Sequence, residues 1–524
     1  MRPVAPIALV ALLLAAGAQA QTLRWASQGD PQTMDPHSQN ESMTNMMNGQ
    51  VYERLTSRDK NLKIVPGLAT EWTQVSPLVW RAKLRPGVKF HDGSPFNADD
   101  VVFSVLRGQQ ATSQINNYAA GVGVPVKIDD LTVEFRLKAV NPIFLEHLDS
   151  LWMMSKGWSE KNKSEKPLDF KSKEELFTSL HANGTGPYML VSRAPGIKTV
   201  YKRNPAYWGK VEGNVQDIVF TPIANDATRL AALVSGEVDF VLDPAPRDVA
   251  KLRSTPGVKV IDGRENRIVF IAFDQGRDEL LYSSVKGKNP FKDVRVRKAL
   301  FQAIDIQTLK TKLMQGNSYP TGGMTPSPAG AYDDAGIEAR LPFDQAAAKK
   351  LLADAGYPDG FEVQLNCPNN RYVNDEQICI ALAGMWAQVK VKVKVQSEPR
   401  STYFPRLEKY DFSMYMLGWG GASTDAEQVL TPVMRNNAGE KGVGFYNYGK
   451  AKNDKFDAMA AQTSIEPDPK KREEMVKGAL REFKESYATL PLHRQVIPWA
   501  ARSNVSVVHR ADNWLEVGWV NVGK

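Results

Sequence analysis

Two segments in the C-terminal third of the chain carry side chains suited to binding a small anionic molecule. The first contains Arg371, whose planar guanidinium can hold a carboxylate through two parallel hydrogen bonds. The second begins with Trp419 and Gly420, continues with small residues that include Ala422, and ends at Asp425. A flat aromatic ring next to small residues offers a ligand a wall and room beside it. The combination predicts a binding site.

The elements around these residues predict a β-α-β-α-β unit. Residues 361–366 alternate apolar and polar side chains, which is the period of a strand, and 374–388 repeat apolar residues at helical spacing. A second alternating strand follows at 391–396, and a short helix is predicted at 401–409. Residues 410–417 are apolar on both faces, as expected for a buried parallel strand. The unit predicts an α/β fold.

Strands joined by helices run parallel, so their carboxyl ends lie on one edge of the sheet, where open α/β sheets bind ligands. The segments that leave this edge are 367–371, 397–400 and 418–425. We therefore expect Arg371 and the loop after Trp419 to meet there, and the rest of the chain to close over them.

The first twenty residues have the features of a secretory signal peptide. Arg2 supplies a positive start, an apolar run extends from Ile7 to Ala16, and small residues stand at positions 18 and 20. The alternative, a membrane anchor, is disfavoured because the run is too short to span a bilayer. We expect cleavage after Ala20, a mature chain that starts at Gln21, and a periplasmic protein.

The composition narrows the possible partners. The net charge of +8 arises from 66 basic and 58 acidic residues that form no run, which disfavours nucleic acid binding. The six histidines are scattered and the chain has two cysteines, too few for a structural zinc site, so we expect no metal and no cofactor. Cys367 and Cys379 are predicted to form a disulfide in an exported protein, with two buried thiols as the alternative.

Residues 66–107 are the most strongly patterned part of the chain. They include PGLA at 66–69, VKFHDG at 88–93 and FNADDVV at 96–102, where Asn97 is predicted to cap a helix. Adjacent Asp99 and Asp100 fit the first turn of that helix, where carboxylates interact well with the helix dipole, better than they fit a catalytic pair. Earlier in the chain, Asn40 or Ser42 is predicted to cap a helix that continues to Arg54.

These patterns resemble the family 5 solute-binding proteins of ABC importers, the group that contains dipeptide, oligopeptide, nickel and glutathione binders. Six further segments match in the same order: NGTGPY at 183–188, RNPAYW at 203–208, LVSGEVD at 233–239, NPF at 289–291, VRVRKAL at 294–300 and AGYP at 355–358. Each match is weak alone, but together they span nearly the whole mature chain.

The resemblance implies a two-lobed periplasmic binding protein of type II, similar to cluster C, with an extra subdomain in the first lobe. It implies that the first lobe is discontinuous and consists of residues 21–50, 183–269 and 490–524. Residues 51–182 would form the accessory subdomain, and 270–489 the second lobe. A ligand would be buried between the lobes when the hinge closes.

The family's peptide binders place an arginine after the first strand of the second lobe, where it receives a ligand carboxylate, and Arg371 matches it. They also place an aspartate three residues after the tryptophan, where it receives the peptide ammonium. Here that position is Ala422, so either Asp425 or Glu427 substitutes, or the ligand carries no free amine at this place, as in an opine, a blocked peptide or a glutathione-like molecule. Lys390 stands where the family usually has a glycine that ends a helix.

From the first lobe, the candidate ligand-binding residues are Asn40, Met43 and Thr185. We expect a monomeric periplasmic receptor, not an enzyme, that delivers a peptide-like or other small anionic solute to an inner-membrane permease and ATPase. A secreted hydrolase is a weaker alternative because Gly-x-Ser-x-Gly, His-Glu-x-x-His and Walker motifs are absent. A sensor or chaperone with the same fold remains open.

Overall fold

The structure is a computed structural model of the chain. It describes residues 21–169, 175–325, 334–420, 423, 425–437 and 443–523. The predicted signal peptide at 1–20 and Ala422 lie outside these residues. Within them, none of the helices is both long and apolar enough to cross a bilayer. The mixture of helices and sheets confirms the predicted α/β class.

The first lobe is built on a seven-stranded sheet. In spatial order its strands are β12 (Val258–Ile261), β19 (Trp499–Arg502), β11 (Phe240–Val241), β1 (Gln21–Ser27), β10 (Val215–Pro222), β9 (Lys198–Arg203) and β8 (Tyr188–Ala194). The central β1 runs parallel to both of its neighbours, and the outer strands pair antiparallel. The sheet thus joins the start of the described chain to a strand near its end.

The second lobe is built on a six-stranded sheet. Its strands are, in spatial order, β14 (Ser318–Pro320), β18 (Thr489–Val496), β13 (Arg264–Phe273), β17 (Met414–Gly420), β15 (Phe361–Pro368) and β16 (Val391–Glu398). β15 runs parallel to both β16 and β17. This confirms the predicted β-α-β-α-β unit. β15 and β16 are each two residues longer than predicted, and β17 starts four residues and ends three residues later than predicted.

The chain passes between the two sheets twice. Asp262 and Gly263 separate β12 from β13, and Ile497 and Pro498 separate β18 from β19. β13 and β18 pair with each other in the six-stranded sheet, and the two crossings lie within about eight residues of the boundaries at 270 and 490, which stay predictions. These two short crossings are where the lobes can rotate relative to each other.

A third unit has its own sheet and core. Its strands are, in spatial order, β4 (Ala69–Ser76), β5 (Val79–Leu84), β7 (Thr132–Arg136) and β6 (Val124–Asp129). Two further sheets have two strands each: β2 (Thr56–Arg58) pairs with β3 (Ile64–Pro66), and β20 (Val505–Ser506) pairs with β21 (Asn521–Val522). Leu84, Val101 and Phe135 are buried in a hydrophobic cluster whose buried members all lie between residues 55 and 153. This unit falls within the predicted accessory subdomain.

The helices of the described chain flank these sheets. They are α1 (Ser42–Asn48), α2 (Ala98–Gly108), α3 (Asn116–Gly121), α4 (Phe144–Leu148), α5 (Lys156–Lys161), α6 (Asp226–Ser235), α7 (Pro246–Ser254), α8 (Val294–Gln302), α9 (Ile306–Thr308), α10 (Ala335–Glu338), α11 (Gln345–Asp354), α12 (Asp375–Ala387), α13 (Arg400–Glu408), α14 (Glu427–Val429), α15 (Asp454–Thr463) and α16 (Pro469–Glu485). Asn97 caps α2 as predicted, and Asp100 completes the capping box by accepting the Asn97 N–H.

Two local features differ from or refine the sequence prediction. The cap of α1 is Glu41, whose carboxylate accepts the Thr44 N–H, and the helix ends at Asn48 instead of Arg54. Lys390 keeps the left-handed backbone of the glycine it replaces, with φ of 67°, at a cost of about 1 kcal/mol. Its ammonium donates to the Pro358 carbonyl and the Asp359 carboxylate, so the end of α12 retains its turn.

A buried ion pair ties the accessory subdomain to the first lobe. Arg107 on α2 donates to both carboxylate oxygens of Asp35, at 2.9 and 2.5 Å, and both side chains are fully buried. The same guanidinium donates to the carbonyls of Ser164 and Lys166, and Asp35 also accepts from Thr178 Oγ1. All charges and most donors in this cluster are therefore satisfied internally.

Candidate functional site

A cavity of about 140 Å³ lies where the two lobes and the accessory subdomain meet. The first lobe contributes residues 39–42, Asn45 and Trp514, and the accessory subdomain contributes residues from 54 to 152. The second lobe contributes Arg371, Tyr372 and the end of β17. The cavity is therefore enclosed by surfaces that hinge opening would separate.

Parallel strands position the second-lobe wall. β15 and β17 end at the same edge, Arg371 follows β15 by three residues, and Trp419 and Gly420 end β17. Tyr372 ties the two segments together because its hydroxyl accepts the Gly418 N–H at 2.7 Å. A Cβ on Gly420 would lie 1.7 Å from the Asn266 carbonyl of β13, so this position requires glycine. The structure thus brings Arg371, Trp419 and Gly420 to one cavity.

Cys367 and Cys379 are bonded in a disulfide, as predicted. The bond joins the end of β15 to α12 and closes the loop that carries Arg371. We expect the Cys367→Ala/Cys379→Ala double variant to lose about 2 to 3 kcal/mol of unfolding free energy, because the crosslink restricts the unfolded chain. Urea unfolding with and without reductant measures this. Two thiols that can be alkylated in denatured, non-reduced wild type would contradict the bond.

Arg371 is the cationic group best placed to receive a ligand. Its side chain is 11% exposed, its Nε lies 3.1 Å from Glu41 Oε1, and its guanidinium lies 4.9 Å from the Tyr372 ring centre. Burial disfavours the charge on Arg371, but Glu41, together with Tyr372, Glu265 and Asp375, keeps the pKa of Arg371 above its usual value. Among the residues that the structure describes, neither terminal nitrogen of Arg371 has a hydrogen-bond acceptor.

The other guanidinium groups that line the cavity are held by carboxylates of the protein. Arg58 Nε lies 2.6 Å from Asp149, and its Nη2 lies 2.5 Å from Glu146. Arg54 lies 3.4 Å from Asp149 and also donates to the Asp149 carbonyl. Arg267 Nε donates to Glu265 at 2.7 Å. These ion pairs occupy much of the hydrogen-bonding capacity of Arg54, Arg58 and Arg267. The terminal nitrogens of Arg371, in contrast, remain available to a ligand.

Aromatic rings form much of the remaining wall. Trp152 and Trp514 stack with their ring centres 6.0 Å apart, and the Arg54 guanidinium lies 4.5 Å from the Trp152 ring centre. On the opposite lobe, Trp419 packs 4.6 Å from Tyr446 and donates its indole N–H to the Gln428 carbonyl. Fixed aromatic faces of this kind bind the flat or apolar part of a ligand.

The carboxylates predicted to replace the missing ammonium partner are used elsewhere. Arg472 of α16 holds Asp425 with two hydrogen bonds, at 2.6 and 2.8 Å. Glu427 accepts from Thr431 and Ser464, and burial raises the pKa of Glu427 to about 7. Neither side chain lines the cavity, so the structure assigns both to support of the loop behind it.

The three first-lobe candidates have different positions. Asn40 lines the cavity and donates to the Tyr446 hydroxyl at 3.2 Å. Met43 lines a smaller cavity of about 40 Å³ that shares Arg371 with the first. Thr185 is fully buried away from both and donates to Glu53, so its predicted role as a ligand contact is not supported by its position.

Contacts between the lobes involve residues that the sequence analysis did not select. Arg400 donates to Glu41 and to the Asp30 carbonyl, and Gln114 donates to Glu408 at 3.0 Å. The Tyr446 hydroxyl donates to the Gln114 carbonyl at 2.7 Å. Glu41 and Arg400 adjoin predicted residues in sequence, but no local pattern reveals that they pair with each other.

Comparison with known proteins agrees with the architecture. A model of bacterial extracellular solute-binding proteins, family 5 Middle, matches residues 63–441. The dipeptide-binding protein of Escherichia coli (strain K12) is 27% identical over 501 residues, which cover 90% of this chain and 89% of that protein. Heme-binding protein A of Haemophilus influenzae is 28% identical over 446 residues, covering 79% of this chain and 76% of that protein.

Solved structures share the fold. The ABC transporter-associated periplasmic binding protein DppA from Helicobacter pylori, in complex with the peptide STSA, superposes with a TM-score of 0.83. The sequence identity is 22%, and the match covers 96% of this chain and 98% of that chain. The likeness confirms the predicted two-lobed fold. Because the family model covers well over half of the chain, the protein belongs to the bacterial extracellular solute-binding proteins of family 5.

Proposed function

We propose that this protein is the periplasmic receptor of an ABC importer and captures a small, peptide-like anionic solute between its lobes. The observation that carries the proposal is the cavity between the lobes, which is lined by Arg371 with two terminal nitrogens that have no protein acceptor among the described residues. A guanidinium in this state is suited to a carboxylate, because charge-assisted bidentate hydrogen bonds are strong and directional. The membership of a solute-binding family supports binding without turnover.

The residues around the cavity also indicate whether the ligand has an ammonium group in addition to its carboxylate. Asp425 is held by Arg472, and Glu427 is buried among hydroxyl donors, so neither is placed to bind an ammonium group. The aromatic faces of Trp152, Trp514 and Trp419 suit an uncharged body. We infer that the solute has a carboxylate and lacks a free α-amine, as in an opine or a blocked peptide.

Capture would follow from rotation about the two crossings at 262–263 and 497–498. The closed arrangement buries the cavity and forms hydrogen bonds across the cleft, such as the one between Gln114 and Glu408. An inner-membrane permease and its ATPase would then receive the solute. We expect the receptor to act as a monomer.

The released ligand tests this proposal. Protein purified from periplasm, where we expect a chain that starts at Gln21, is denatured, and the small molecules it releases are analysed by mass spectrometry. We expect a compound whose mass rises on esterification and stays unchanged with an amine-reactive acylating agent. A copurified cation, or a ligand that resists esterification, would contradict the anion assignment. Tight binding of unmodified dipeptides would contradict the absence of an amine.

A further inference from the structure

The Glu41 carboxylate lies between two guanidinium groups of the opposite lobe. Arg400 Nη1 donates a hydrogen bond to Glu41 Oε1 at 3.1 Å. Arg371 Nε lies at the same distance from this oxygen but makes no hydrogen bond with it. The other oxygen of Glu41 accepts from the N–H and the hydroxyl of Thr44. Glu41 is therefore bound mainly by Arg400, although it adjoins Arg371.

Several contacts fix Arg400 in this position. Its backbone N–H donates to Asn370 Oδ1 at 2.8 Å, which ties the start of α13 to the loop that carries Arg371. Its Nη2 donates to the Asp30 carbonyl at 2.8 Å, and only 6% of the side chain is exposed. A Cβ on Gly29 would lie 1.8 Å from Nη2, so the guanidinium rests directly on the glycine backbone. Arg400 is thus held against Glu41 by groups on both lobes.

The charges of these three residues decide how strongly the site attracts an anion. Two guanidinium groups and one carboxylate carry a formal charge of +1, and Arg371, whose terminal nitrogens have no acceptor among the described residues, lines the larger cavity. Without Arg400, the remaining pair would be neutral, and Glu41 would compete with a ligand carboxylate for Arg371. Charges at this spacing in a buried setting interact strongly.

We propose that Arg400 makes the site selective for anions by holding Glu41, which leaves Arg371 free for the ligand. Arg400 lines the smaller cavity and not the larger one, so it is a positioning residue that acts through Glu41 and Arg371. The inference rests on the proposed function, because it assumes that Arg371 receives the carboxylate of the solute. It adds a residue that sets the charge selectivity of that site.

The test uses two probes that differ in one charge. They are N-acetylphenylalanylalanine, which has a carboxylate and no amine, and its C-terminal amide. The ratio of the two dissociation constants, measured by titration calorimetry, reports selectivity for the anion. Weaker closure of the lobes would lower the affinity for both probes and leave this ratio unchanged, so the ratio separates charge selectivity from a structural role.

We expect the wild type to prefer the acid by roughly 10 to 150-fold, the range for a charge-assisted hydrogen bond. Arg400→Met should lower the ratio to about threefold or less, because Glu41 then neutralises Arg371. The Glu41→Gln/Arg400→Met double variant should recover a ratio within about threefold of the wild type, because the competing charge is gone while Gln still offers Thr44 an acceptor. Arg400→Lys should keep the ratio because it keeps the charge.

The outcomes separate the two proposals. If Arg400→Met keeps the wild-type ratio, or if the double variant stays as unselective as Arg400→Met, the role of Arg400 is overturned while that of Arg371 stands. If Arg400→Met fails to fold, Arg400→Lys and Glu41→Gln decide, and a loss of selectivity in both overturns the inference. A wild type without preference for the acid, or an unchanged ratio in Arg371→Ala, overturns the proposed function itself.

Discussion

Replacing Arg371 by alanine is expected to weaken binding of the copurified solute by roughly 10 to 150-fold, corresponding to about 1.5 to 3 kcal/mol for a charge-assisted hydrogen bond. The reason is that Arg371, whose two terminal nitrogens have no acceptor among the described residues, lines the cavity between the lobes. Arg371→Lys keeps the charge but loses the planar fork, so an intermediate affinity is expected. Titration calorimetry on the wild type and both variants measures the effect.

Arg406→Ala is a matched control for this experiment. Arg406 lies in the same lobe and pairs with Glu398 and Asp411, but it is absent from the cavity wall. Its loss should leave affinity within about threefold, because the ion pairs it breaks are partly exposed. Equal affinities of Arg371→Ala and the wild type would refute the role of Arg371. Unfolding curves of each variant exclude a loss of fold as the cause.

Replacing Asp35 by asparagine is expected to cost about 3 to 5 kcal/mol of unfolding free energy, the largest stability effect that we expect. Both Asp35 and Arg107 are fully buried, so the variant leaves an uncompensated guanidinium inside the protein. Asn keeps the size of Asp, but it removes the charge and offers one acceptor oxygen where Asp35 uses two. Guanidinium chloride unfolding measures it. A change below about 0.5 kcal/mol would contradict the argument.

Asp99→Asn makes the same substitution on α2, two turns before Arg107, and serves as its control. Asp99 is about half exposed and pairs with Lys127, and such surface pairs contribute about 0 to 1 kcal/mol. The Asp35 pair should also depend on pH. Burial opposes ionisation of Asp35, but Arg107 outweighs it and lowers the pKa of Asp35 to about 2. The pair therefore stabilises the fold above about pH 4, and this contribution is lost as the pH falls towards 2.

The sequence predicted features that depend on local periodicity or on strand order. The alternation at 361–366 and the apolar run ending at Leu417 were sufficient to place Arg371 and Trp419 at one sheet edge, because parallel strands end on the same side. The pairing of Cys367 with Cys379 also followed from that unit. Lys390 stands where the family usually has a glycine, and the structure shows that it has a left-handed backbone.

Side-chain partners distant in sequence could not be predicted in this way. Glu41 was not among the predicted helix caps, and only the three-dimensional structure places it between Arg371 and Arg400. Asp425 was assigned to the ligand because it follows the tryptophan, whereas α16 supplies Arg472 behind the loop. Thr185 belongs to a matching segment, but segment order does not determine that its hydroxyl faces Glu53.

The hydrogen bonds across the cleft have a kinetic consequence. The residues that close the cavity, including Glu41, Gln114 and Tyr446, are also those that hold the lobes together. A bound solute can leave only after these bonds break, so its dissociation rate is governed by the frequency of lobe opening as well as by its own contacts. A membrane partner that separates the lobes would then release solutes of very different affinity at similar rates. The release rate would depend on the opening of the receptor more than on the affinity of the solute.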